Sequence, residues 1–276
     1  MANFHSDEWI MDKIQEHYQE ALEFYPADRI IGIFCQGSQN YGLDYEGSDI
    51  DTKCFLVPTL EDIIFNKKPI STTHIRANEE HIDFKDIRLF LTTVRKQNLN
   101  FMEILFTKYK IVNPTYEPMW NRLIENNEQI ARYNPVGAVK TMKGIALEKY
   151  HALEHRYPSK VELIDKYGYD PKQLSHLVRV HEYLQRYING EAYADCLLTQ
   201  NADVLIRTKR TDILYIPLER ARAWATDLLD DVVNITDKFA AAHKDDPVDW
   251  HVDILLDDVQ RDIMKLGIEL EMQKGE

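Results

Sequence analysis

The stretch that decides the reading is Gly37 to Asp51, GSQNYGLDYEGSDID. Two apolar runs bracket it. Arg29 to Cys35 (RIIGIFC) is short and β-branched, which predicts a buried strand. Asp49 to Val57 (DIDTKCFLV) predicts a second strand, stopped by Pro58. In a strand, residues i and i+2 face the same way. Asp49 and Asp51 therefore project together, with Ile50 on the opposite side. Adjacent like charges repel, so packing alone gives no reason to pair them. A divalent cation removes that repulsion, and Mg²⁺ binds through one or two carboxylates plus substrate phosphates. Gly37-Ser38 ends the first strand. A glycine there allows close backbone approach, and the turn offers N–H donors and a hydroxyl to a phosphate.

In-line displacement with two metals calls for a third carboxylate. Glu80-His81-Ile82-Asp83-Phe84 supplies one. Ile82 and Phe84 alternate with His81 and Asp83, so the apolar pair faces a core and Asp83 faces the other way, where it can also accept a proton. Asp86 competes for the role, but it stands where helical periodicity begins and suits a helix's first turn.

Outward from this centre, residues 7–24 predict an amphipathic helix capped at Ser6. Ile70 to Arg76 and Glu80 to Phe84 predict a hairpin around Ala77-Asn78-Glu79. After Asp86 the texture turns helical, with helices expected over 116–129, 135–156, 171–189, 217–243 and 248–272. A small β element is expected at Val204 to Ile216. The fold class is α+β: a small mixed-sheet domain over 1–112, then a mainly helical domain over 113–276.

Composition sets outer bounds. The chain has 276 residues, 44% hydrophobic and 29% charged, enough to bury a core. Its net charge of -13 argues against a broad basic surface for duplex nucleic acid, though not against a local groove. Cys35, Cys54 and Cys196 lack CxxC spacing and read as buried free thiols. With no long apolar run and a polar N-terminus, the expectation is a cytoplasmic protein without membrane association. Leu228, Leu229, Val232, Val233 and Ile235 form a packing stripe that offers a subunit contact, so an oligomer is allowed for.

Gly-Ser, ten residues, then Asp-x-Asp, with a strand on each side and a later apolar-Asp-apolar strand, resembles the DNA polymerase β-like nucleotidyltransferases. Within that superfamily the chain resembles the stand-alone members, which include a group linked to RNA repair. Supporting stretches are Phe90-Leu91, Asn98 to Phe106, Lys143-Gly144, Tyr169 to Lys172 and His176 to Arg179. The resemblance spans roughly residues 29–185. It implies that Asp49, Asp51 and Asp83 hold two Mg²⁺ ions and a nucleoside triphosphate, taken as ATP, with helices closing the other wall. A nucleoside monophosphate then passes to an acceptor hydroxyl and pyrophosphate leaves. Gly37 and Ser38 would hold the β- or γ-phosphate. Lys53 shares a strand face with Asp51. Lys172, His176 and Arg179, spaced by four and three, share a helix face that suits a triphosphate or an acceptor. The acceptor is open between an RNA 3′ end, a protein and a small molecule. A nucleotide-binding sensor on a retained fold is the reading from another class.

Overall fold

A computed structural model describes residues 3–210 and 215–274. Helix α1, Asp7–Phe24, starts where Ser6 accepts a hydrogen bond from the Trp9 N–H and where Asp7 and Glu8 meet the positive helix end. Strand β1, Ile30–Gln36, leads to the one-turn helix α2, Ser38–Tyr41. Strand β2 is Asp51–Leu56 and helix α3, Leu60–Ile64, opens with a Thr59/Asp62 capping box. Strands β3, Ser71–Ile75, and β4, His81–Asp86, form the expected hairpin. Helices α4, Ile87–Arg95, and α5, Leu99–Met102, precede strand β5, Lys110–Val112. Then come helices α6, Glu117–Glu125, α7, Asn127–Arg132, α8, Pro135–Ala152, α9, Val161–Tyr167, α10, Pro171–Ile188, α11, Tyr193–Leu197, α12, Ala202–Lys209, α13, Leu218–Ala242, and α14, Trp250–Lys274.

The five strands run in the order β3-β4-β2-β1-β5. All pairs are antiparallel except β2 and β4, so the sheet is mixed, as the sequence reading expects. One face carries Ile33, Cys35, Cys54, Leu56, Ile82 and Phe84 against Ile10, Ile14 and Ala21 of α1. The other carries Phe34 and Phe55, whose rings meet Trp120 at 4.3 Å and Phe90 at 4.3 Å. All three cysteines are buried and free.

Two compact units emerge, and the expected cut at residue 112 moves. The sheet unit takes in 3–40, 44–134 and the residues from 248 on; the helical unit takes in 41–43 and 135–247. The cause is packing. Trp120 of α6 belongs to the aromatic cluster on the sheet, and α14 packs on α4 and α6. Within the helical unit, α8, α10 and α13 pack on one another and α12 lies on α10. Among the described residues no helix is long and apolar enough to cross a membrane.

Other local expectations shift as well. The helix expected over 116–129 is two helices, parted at Asn126 (φ -114°, ψ 15°). Residues 204–209 of the β element expected at Val204 to Ile216 are instead the end of α12. There Ala202, Leu205 and Thr208 bury a three-residue stripe, and the β-branched Val204 is exposed. Residues 211–214 of that expected element lie outside the described residues.

Gly267 of α14 lies against the end of β2. A Cβ there would overlap Val57 Cγ1 and sit 3.2 Å from Val57 Cβ. Gly267→Ala gains up to ~1 kcal/mol of helix propensity, yet overpacking costs ~1–3 kcal/mol. The expected outcome is a lower urea midpoint, partly restored when Val57→Ala is added. Stabilisation by Gly267→Ala alone would show that α14 does not bear on Val57.

Candidate active site

The site is built around the turn between β1 and β2. Gly37 has φ +94°, a left-handed conformation that glycine adopts without a Cβ penalty. It lets the chain leave the end of β1 and enter α2 at Ser38. The Gly37 N–H donates to Glu103 Oε2 at 3.2 Å, and Asn40 Nδ2 donates to the same oxygen at 3.1 Å. Ser38 stays half-buried, with its hydroxyl 3.3 Å from Gln39 Oε1. Gln39, itself buried, donates to the Asp49 carbonyl at 2.9 Å.

Asp49 lies in the loop before β2, which starts at Asp51, two residues later than the sequence reading placed it. The pattern still holds locally. Ile50 is fully buried in the α1-side core, while Asp49 is exposed and Asp51 is half-buried. The Ile50 N–H donates to Glu80 Oε1 at 3.4 Å. Glu80 is a hub, 5% exposed, which takes Arg76 Nη1 at 2.6 Å and sits 3.0 Å from His17 Nε2. Burial would raise the Glu80 carboxyl pKa; hydrogen bonds from His17, Asn78 and Arg76 outweigh it and hold it at about 2.

Register gathers the next groups on one sheet face. Gln36 pairs with Asp51, and Lys53 pairs with Asp83 across the parallel ladder. Asp51 accepts the His81 N–H at 2.9 Å. Asp83 accepts from Gln36 Nε2 at 3.3 Å and from the Thr73 hydroxyl. Its oxygens stand 3.9 Å from Lys53 Nζ and 3.8 Å from Lys85 Nζ. Lys53 is 4% exposed, and burial draws its ammonium pKa down while Glu103, Asp83 and Asp51 pull it up. Asp86, the competing third carboxylate, caps α4 through the Arg88 N–H and grips the Arg88 guanidinium at 2.6 Å, so it is committed to that helix.

Among the described residues, no group of three or more His, Cys, Asp or Glu side chains is gathered as a metal would need. Asp49 and Asp51, two residues apart, have no third such side chain gathered with them among the described residues. Asp83 meets two ammonium groups instead. The thiols of Cys35 and Cys54 are pushed up by burial, which removes them as nucleophiles.

Lys172, His176 and Arg179 all lie on α10 of the helical unit, as the spacing predicts. Lys172 is exposed. His176 is held well below its ordinary pKa by burial and by Arg179, Lys149, Lys172 and Lys209, so it is neutral at pH 7. Arg179 is 6% exposed, and its guanidinium lies over the Tyr41 ring at 3.9 Å. Its Nε and Nη1 have no hydrogen-bond partner among the described residues. Sequence reasoning gave no role to Glu103, Glu80, Gln36 or Tyr41. The one available signal was an acid inside an apolar run, Phe101 to Phe106, where a charge survives only if it is paired.

No protein-family model matches the chain, and no curated protein matches it. Among solved structures, it is similar to a nucleotidyltransferase-like protein from Exiguobacterium sibiricum 255-15, at 13% identity and a TM-score of 0.29, over 96% of this chain and 92% of that one.

Glu80 gives the site a pH signature. Folding lowers its pKa from 4.5 to about 2, so its contribution is complete above pH 4.5 and is lost as pH falls toward 2. Glu80→Gln should cost ~1–3 kcal/mol at pH 7 and flatten the acid limb of stability in that window. Urea unfolding followed by circular dichroism at each pH measures both. A limb as steep as that of the wild type would assign the drop to other carboxylates.

Proposed function

We propose that this chain is a Mg²⁺-dependent nucleotidyltransferase. It moves a nucleoside monophosphate from a nucleoside triphosphate, ATP in the first instance, to an acceptor hydroxyl. A P–O bond forms at the α-phosphorus, the α–β bridging bond breaks, and pyrophosphate leaves. The observation that carries the reading is the left-handed Gly37 turn beside two acids that flank a buried Ile50. The Gly37-Ser38 turn is suited to phosphate oxygens through the Ser38 hydroxyl, with the Gly37 N–H held by Glu103. Asp49 and Asp51 are suited to a hard dication, which when bound would offset triphosphate charge and polarise the phosphorus under attack. Gln39 and Glu80 hold the Asp49–Ile50 peptide between the two acids from its C=O and its N–H, which supports an ordered backbone beneath both carboxylates.

Arg179, in the helical unit, is a separate candidate for an anion. A buried guanidinium with unpaired N–H groups costs stability and suits a phosphate oxygen. Lys172 and the neutral His176 share its helix face. The acceptor we favour is an RNA 3′ end in a local groove, in keeping with the likeness to the repair-linked group. The net charge of -13 favours the second reading, AMP transfer to a protein or small-molecule hydroxyl.

Purified protein, Mg²⁺, each α-labelled nucleoside triphosphate and total RNA form the test. Label in RNA supports the first acceptor; label in a protein or small molecule supports the second; no label with any nucleotide overturns transfer. Asp49→Ala with Asp51→Ala should abolish labelling. Arg179→Met should melt no lower than the wild type, because the buried guanidinium leaves N–H groups unpaired. A clearly lower melting point would make Arg179 a packing residue.

A further inference from the structure

Alternation places Lys53 on the same sheet face as Asp51, and register sets it across from Asp83. Its Nζ stands 3.9 Å from Asp83 Oδ2 and 5.2 Å from the centre of the Phe101 ring. Glu103, buried under the Gly37 turn, adds a second negative field, and Asp51 a third. On its outer side Asp83 is met by Lys85 and by the Thr73 hydroxyl. The third carboxylate of the expected trio is therefore already neutralised by ammonium groups. A second dication at Asp83 would sit within a few ångström of Lys53, and like charges that close repel strongly in a buried place. Lys53 is 4% exposed, with the Phe101 ring beside its ammonium, so its charge stays next to Asp83.

We propose that Lys53 is a built-in cation of the candidate site: its ammonium balances Asp83 and Glu103, so that one divalent ion, on Asp49 and Asp51, serves this chain instead of two. This rests on the nucleotidyl-transfer reading and departs from the three-carboxylate expectation. Asp83 becomes a positioning residue for Lys53. The ammonium, a compact point charge, takes the place of a metal ion whose binding would depend on concentration.

Counting ions tests it without any turnover. Mn²⁺ is titrated into the full chain with saturating α,β-methylene-ATP, and bound ions are read by electron spin resonance. The expected result is one Mn²⁺ per nucleotide bound. Asp51→Asn should lose that ion, whereas Asp83→Asn should keep its affinity within about twofold, under 1 kcal/mol. Lys53→Met should raise the count toward two, because Asp83 and Glu103 lose their internal counter-charge. Two ions in the wild type, an affinity loss above about tenfold in Asp83→Asn, or a folded Lys53→Met chain that still takes one ion each overturns the proposal. Should Lys53→Met fail to fold by its melting curve, the wild-type count and Asp83→Asn decide. A wild-type chain that binds neither Mn²⁺ nor the analogue overturns the nucleotidyl-transfer reading itself, a failure distinct from a count of two.

Discussion

Strand β2 serves two environments at once. Thr52, Cys54 and Leu56 turn into the core beneath α1, and Asp51 and Lys53 turn the other way. Because the side-chain period is two, a slip of one residue would drive both charges into that core. What prevents the slip is a buried polar clamp. His17 of α1 sits 2.9 Å from the Thr52 hydroxyl with one ring nitrogen and 3.0 Å from Glu80 with the other. Glu80 in turn binds Arg76, which reaches Glu20 at 2.6 Å. A helix, a central strand and an edge hairpin are thereby fixed in one register. Breaking one member would leave the others buried and unpaired, which is how such networks enforce a single arrangement.

The same strand carries an electrostatic cost. Enclosing an ammonium is unfavourable unless negative charge surrounds it. Asp83, Asp51 and Glu103 provide that charge from three different segments of chain. Arg179 presents the opposite case in the helical unit. It has an aromatic face to lie on but nitrogen donors left over. One buried cation is compensated within the fold; the other keeps two nitrogens without a hydrogen-bond partner among the described residues.

Much of the local structure was legible because it follows from period and punctuation. Helix α1, the β3–β4 hairpin, α10 and α13 match the apolar spacing and capping residues within a residue or two. The Gly37-Ser38 turn and the alternation around Ile50 were also legible, since a glycine at positive φ and a buried residue between two acids are local facts. The non-local facts were not. Nothing in the order of residues says that Lys53 lies across from Asp83, that Glu103 closes on the Gly37 N–H, or that Asp86 spends its carboxylate on Arg88. The segment after Val204 misled because β-branched residues read as a strand, whereas the contact with α10 selected a three-residue stripe.

The path of the chain between its two units has a consequence for synthesis. Residues 135–247 form their own unit, while α14 returns to the sheet and fills space beside Val57. On the ribosome, the helical unit can close as soon as it emerges. The sheet strands precede the helical unit in the chain, yet the sheet lacks its covering helix α14 until residues 250–274 have been made. Its aromatic face, with Phe90 and Trp120, therefore spends the longest time partly wet, and nascent chains stalled before Trp250 would be those most in need of a chaperone.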